Sequence, residues 1–170
     1  MDAQVYADLT YSDKWSQDVG DETVHLIYYG NAHTGGDSVI FFENANVAHM
    51  GDLVFNRAYP FIDPGAGANI KNWVDVLRST ANDLPADAIY IFGHGNPEYG
   101  VQGSKSDVIM MSDFLEALLE FTQKGIDAGK SKEEIASAEA LPGFEVFHQD
   151  NWFLGLDFQI NTAYDELTNQ

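Results

Sequence analysis

Two short, nearly uninterrupted apolar runs constrain this chain most. They are Ser38–Glu43 (Ser-Val-Ile-Phe-Phe-Glu) and Ala88–Phe92 (Ala-Ile-Tyr-Ile-Phe). A run this short, rich in β-branched and aromatic residues and bounded by turn residues, reads as a strand buried on both faces. A chain with two such strands must build a sheet and cover it. Val24, Leu26 and Tyr28 alternate with His25, Ile27 and Tyr29, the period of two of a third strand, which Gly30 ends. Residues 3–10 read as a strand followed by a polar turn. Asn46–Met50 reads as a return strand after the Glu43-Asn44 turn, with Gly51-Asp52 directly at its end.

Helices follow from a different spacing. Ile70, Trp73, Val74 and Leu77 fall on one helical face, with Asn69 as the cap. Ser112 reads as the cap of a helix running to about Lys124, with Phe114, Leu115, Leu118 and Phe121 inward. Ser131 and Glu134 form a capping-box pattern for a short helix, and Thr162–Leu167 reads as a last helical turn or two. Trp73 and Phe114 are core by their spacing. No repeat or linker divides the chain, so residues 1–170 form one domain. Its fold class is mixed α+β, with a partly antiparallel sheet.

Charge narrows the function. Eight Lys and Arg stand against 27 Asp and Glu, a net charge of −19. Such a surface repels phosphate backbones and anionic lipid headgroups, so neither nucleic acid nor a membrane is an expected partner. Apolar residues at 45% are enough for a packed core despite that charge. No cysteine is present, which removes disulfides and thiolate metal sites together. Absence of cysteine with strong acidity fits a soluble protein that is exported or lives in salt. Residues 1–20 lack the basic start and apolar centre of a signal peptide.

Three polar residues share one placement. His33 lies in the Gly-rich loop 31–37, Asp52 follows Gly51, and His94 lies between Gly93 and Gly95, each just after an expected strand. Strand ends are rigid platforms, and the neighbouring glycines permit close backbone approach. Two imidazoles and a carboxylate are a ligand set for zinc, iron or manganese. Taken singly, each of the three is more often an ordinary loop or turn residue; their common placement lifts the set. His25 and His49 read as structural or surface groups in strands. His148 lies in the aromatic stretch Phe144–His148, a core or interface segment. Asp37 reads as tying its own loop together, and Lys105 as a surface residue with an outside role in meeting an anionic substrate.

The ordered segments Gly30–Asp37, Val47–Phe55 and Ile91–Gly95 resemble the third, fourth and fifth metal motifs of the metallo-β-lactamase superfamily. The resemblance covers about residues 20–125. It implies that His33 binds one metal, that Asp52 bridges two, and that His94 binds the second. It further implies zinc, iron or manganese as cofactor and a metal-dependent hydrolase acting on an ester, thioester, amide or phosphoester of a small molecule. The superfamily's oxygen-using members remain open. The family's first motif, His-x-His-x-Asp-His, is absent: the five histidines are at 25, 33, 49, 94 and 148. The chain therefore resembles the C-terminal half of a four-layer αββα sandwich, one sheet with helices on one face, with residue 1 expected to fall after the missing motif. Half a sandwich leaves an apolar sheet face, so the expected partner is a second copy, as a homodimer or strand-exchanged oligomer, or a missing N-terminal half. Two other readings stay open: a non-catalytic dimeric half-domain with a vestigial site, and a small acidic cation-binding protein.

Overall fold

A computed structural model describes residues 7–147 and 154–169. Its strands are β1 (Lys14–Val19), β2 (Glu22–Ile27), β3 (Val39–Phe42), β4 (Val47–Asn56), β5 (Ile89–Gly95) and β6 (Gln102–Gly103). Its helices are α1 (Ile70–Asp83), α2 (Lys105–Asp127), α3 (Lys132–Ala136) and α4 (Leu156–Thr168), and Pro64–Ala66 adds a 3₁₀ turn. The six strands form one sheet in chain order. Neighbours are antiparallel except β4 and β5, which run parallel and are joined through α1. The expected mixed α+β class and the half-sandwich layering are both present.

Register divides the sheet into two unlike faces. Ile27, Val39, Phe41, Ala48, Met50, Tyr90 and Phe92 point toward α1 and α2 and belong to the core. Residues one step away project to the opposite side, as a pleat requires. That side carries Trp15, Val24, Leu26, Ile40, Phe42, Val47, Ile89 and Ile91, each half-buried or exposed and none packed into the core. Ser38–Glu43 was expected to be buried on both faces. Only Val39 is fully buried, because among the described residues the helices cover one face of the sheet alone.

The helices pack where their apolar stripes direct them. Ile70, Trp73, Val74 and Leu77 are buried on α1, as their spacing requires. The Asn69 side chain accepts from the Asn72 amide at 2.7 Å, the expected cap, worth about 1 kcal/mol. Leu84 is extended and precedes Pro85, which ends α1. The Trp73 indole donates to the Leu53 carbonyl at 2.9 Å, pinning α1 to β4. A second anchor comes from α4, where Glu166 accepts from the Ile70 and Lys71 amides at 2.7 and 2.9 Å.

Several boundaries differ from the sequence reading. Residues 7–10 are not a strand, and the supposed turn after them holds β1; residues 3–6 lie outside the described residues. Ser112 does not cap α2. The helix begins earlier, at a Ser104–Asp107 capping box, and Ser112 is a buried interior residue facing Val74. The apolar pattern alone began at Phe114, whereas the polar first turns of α2 are helical through the cap and the buried Val108 and Met111. Helix α3 has the expected box. Helix α4 is 13 residues long rather than a turn or two, because Leu156, Gln159, Ile160 and Ala163 are all buried along it. Phe147 stacks on Phe114 at 4.2 Å, so this part of the aromatic stretch is core; His148 lies outside the described residues.

Candidate metal centre

Asp52 and His94 were expected just beyond strand ends. Both instead lie within strands, Asp52 in β4 and His94 in β5. A bulge explains the difference. The parallel register slips between His49 and Gly51 and again between Gly51 and Phe55, and Gly51 takes a φ of +51°. That left-handed residue lets the strand resume after the irregularity, which a sequence scan reads as an end.

The bulge brings Asp52 against β5. A Cβ built on Gly93 would overlap the Asp52 carboxylate and the Gly51–Asp52 backbone. The carboxylate therefore rests over the β5 main chain at a position where no side chain stands. There Asp52 Oδ1 comes within 3.5 Å of His94 Nε2, with Asp52 39% and His94 59% exposed. Both groups reach solvent from neighbouring parallel strands, near their C-terminal ends.

His33 reaches the same neighbourhood by another route. Its loop is closed by Asp37, which accepts from the Thr34 amide at 2.6 Å and the Thr34 hydroxyl at 3.0 Å. His33 Nδ1 lies 3.7 Å from Asp37 Oδ1, and its ring meets the edge of Trp73 at 5.5 Å. Burial pushes the Asp37 carboxyl up, but hydrogen bonds from His33 and Thr34 outweigh it and hold the group below the ordinary carboxylate range. Asp37 ties its loop together, as its position in the sequence suggests.

Phe55 joins the two imidazoles. Its ring stacks on His94 at 4.8 Å and 15°, and His33 approaches it at 5.7 Å. Phe55 is paired with His94 in the β4–β5 register and is 4% exposed. Sequence reasoning gave it no role, since only the register shows that it stands beside His94. The next residues were also missed. Asn56 is buried and donates to the Gly100 carbonyl; Arg57, at φ +52°, donates to Asn56 and Asp107 and lies 4.7 Å from the Tyr99 ring centroid. No local signal marks Arg57, whose ion-pair partner is distant in the chain.

Other candidates lie elsewhere. His25 bonds Glu43 Oε2 at 2.7 Å, and His49 is exposed on the uncovered side of the sheet. Lys105 donates to the Leu84 carbonyl at 2.8 Å, tying the start of α2 to the end of α1.

A metal fits this arrangement in part. Two donors about 2.1 Å from a tetrahedral zinc lie about 3.4 Å apart, close to the Asp52–His94 separation. A carboxylate and an imidazole are also the donor types zinc takes. His33 does not complete a triad here: among the described residues no three His, Asp or Glu side chains converge on one metal-sized point.

The family model described as the metallo-beta-lactamase superfamily matches residues 5–94. Solved structures share the fold. One is a double mutant of a sec-alkyl sulfatase, with TM-score 0.70 and 14% identity, covering 96% of this chain and 27% of that one. Another is a metallo-beta-lactamase from Pontibacter korlensis, with TM-score 0.55 and 17% identity over 64% of this chain and 48% of that one. A metallo-beta-lactamase family protein from Thermus thermophilus has TM-score 0.60 and 19% identity, covering 96% of this chain and 50% of that one. The chain thus spans between about a quarter and a half of the structures it matches. No curated protein matches it.

Proposed function

This chain belongs to the metallo-beta-lactamase superfamily, and from that premise we propose that it carries part of the metal site of a metal-dependent hydrolase. The single observation behind this reading is the 3.5 Å approach of Asp52 Oδ1 to His94 Nε2 over the bare backbone of Gly93. Asp52 and His94 would hold the ion, with zinc first and iron or manganese as alternatives, and His33 would join them only by turning from Asp37. Bound zinc supplies Lewis-acid polarisation and lowers the pKa of water toward neutrality. The chain's own part is positional. The β4 bulge aims the Asp52 carboxylate, Phe55 holds the His94 ring by stacking, and the exposure of both donors leaves room for a small-molecule ester or amide, including phosphate and sulfate esters.

A second reading has its own support: no third donor converges among the described residues. On that reading the chain is a non-catalytic half-domain with a vestigial site. Metal content separates the two. Protein purified without chelator and dialysed against zinc should retain near-stoichiometric metal by inductively coupled plasma analysis on the first reading, and His94→Ala should remove it. Less than about a tenth of an equivalent, with no gain on adding metal, leaves the half-domain reading standing. For the hydrolase itself, turnover of aryl ester, phosphate and sulfate substrates should require zinc and disappear in Asp52→Ala.

A further inference from the structure

His94 stands between two glycines, and at each one another group takes the place of the missing side chain. At Gly93 it is the Asp52 carboxylate. At Gly95 it is the Gly100 carbonyl, whose oxygen would lie 2.1 Å from an added Cβ. The loop Asn96–Gly100 is closed on itself, with the Tyr99 and Gly100 amides donating to the Asn96 carbonyl at 2.9 and 2.8 Å. It is also fastened to the end of β4. The Asn96 amide donates to the Asn56 carbonyl at 2.8 Å, and the Asn56 side chain donates to the Gly100 carbonyl at 3.0 Å.

We propose that Arg57 is a positioning residue for His94, acting through this loop. The inference rests on the reading of His94 as a metal donor. Arg57 donates to Asn56 Oδ1, which fixes the direction of the Asn56 amide and leaves its Nδ2 facing Gly100. Arg57 also donates to Asp107 Oδ1, and its guanidinium carbon lies 4.7 Å from the Tyr99 ring centroid. Asp107 is itself held, since Oδ2 accepts from the Ser104 amide at 2.8 Å and the Ser104 hydroxyl at 2.9 Å in the box that begins α2. One planar guanidinium therefore ties the end of β4 and the loop after His94 to the start of a long helix. Its several donors lie in one plane, which a lysine ammonium cannot reproduce.

Backbone strain points the same way. Arg57 has φ +52°, and among the described residues Asn46 is the other non-glycine at positive φ. Asparagine visits that region readily; a long side chain does so at a cost, and such strain persists where surrounding contacts over-determine it. The contacts here are those to Asn56, Asp107 and Tyr99. The Arg57 and Asp107 side chains are 17% and 14% exposed, so the pair is largely sheltered from screening. With the guanidinium gone, the loop loosens over Gly95, and the neighbouring His94 ring loses its fixed stack on Phe55.

The test reads His94 in two ways. Its imidazole protons, assigned by their loss in His94→Ala, carry a ring-current shift from Phe55 in metal-free protein, visible by NMR. Zinc alone, titrated by calorimetry, reads the donor. Arg57→Ala should shift or broaden the imidazole signals and weaken zinc binding by about 10–100-fold. Arg57→Gly relieves the left-handed backbone, so it should unfold near the wild-type urea midpoint and still show both losses. Arg57→Lys should restore them only in part. Tyr99→Phe, which keeps the ring, should behave as wild type, whereas Tyr99→Ala, at an exposed position, should show a smaller version of both losses. Lys132→Ala removes an ion pair between α3 and α4 and should leave His94 unchanged. Imidazole signals unchanged in Arg57→Ala and Arg57→Gly overturn the proposal, as do signals equally disturbed by Lys132→Ala. If Arg57 variants fail to fold, Tyr99→Ala decides by the same signals. Wild-type protein that takes up no zinc overturns the metal reading instead, and the metal-free imidazole signals still decide the role of Arg57.

Discussion

Asp52 Oδ1 and His94 Nε2, from adjacent parallel strands, lie 3.5 Å apart. The distance is long for a hydrogen bond and close to that between two ligands of one tetrahedral zinc. What holds it is the β-bulge at Gly51 and the missing side chain at Gly93. Both are backbone features.

Gly93→Ala is therefore expected to act on the pair without removing either donor. The added methyl overlaps the Asp52 carboxylate and nearby backbone, so Asp52 must move. Zinc affinity should fall by about 10–100-fold, as for loss of a group that orients a ligand. Overpacking should cost about 1–3 kcal/mol. Zinc titration followed by calorimetry, with urea unfolding alongside, reads both effects.

Phe55→Ala should be more damaging to the fold. The ring is buried and touches both His33 and His94. Removing a buried aromatic ring costs about 3–5 kcal/mol. Phe55→Leu keeps most of the volume and loses the stacking. It should unfold at only slightly lower urea while broadening the range of His94 ring orientations, visible in the imidazole resonances by NMR.

The Arg57–Asp107 pair predicts a pH dependence of stability. Burial raises the Asp107 carboxyl, but hydrogen bonds from Arg57 and Ser104 outweigh it and hold the group below its ordinary value. A depressed folded pKa contributes stability above the unfolded Asp pKa of about 3.9, and that contribution disappears as pH falls through the folded value. Between neutral pH and about pH 2, wild type should lose more stability than Asp107→Asn, which cannot titrate there. Urea midpoints at both pH values check it; equal losses would discard the assignment.

Glu166 offers a fourth test. Its carboxylate accepts from the Ile70 and Lys71 amides, so α4 caps α1 from across the fold. Glu166→Ala leaves Asn69 as the remaining cap and should cost about 1–2 kcal/mol. For a chain of this size that is a drop in Tm of about 2–8 °C by scanning calorimetry.

Much of the site was legible because its chemistry is written in short segments. His33, Asp52 and His94 each stand in or beside a glycine-bearing segment, and the ordered set carries the family resemblance. The limits of that reading were also local. Asp52 and His94 looked like residues after strands because a glycine inside a strand reads as an end; in the fold it is a bulge that keeps the strand going. The start of α2 was placed late because its first turns are polar and stabilised by a box, not by apolar spacing.

By itself the sequence determined the buried stripe of α1, the capping box of α3 and the choice of His33, Asp52 and His94 as candidates. These depend on alternation, helical spacing and side-chain chemistry, which are properties of neighbours in the chain. Tertiary structure alone decided which donors meet. Asp52 reaches His94 because a register shift between two strands, closed only after α1 has crossed over, brings one carboxylate over one bare glycine. His33 turns instead to Asp37 because a hydrogen-bonded loop sets its ring. Distances of this kind are fixed by backbone path and packing across the sheet, and no window of adjacent residues contains them.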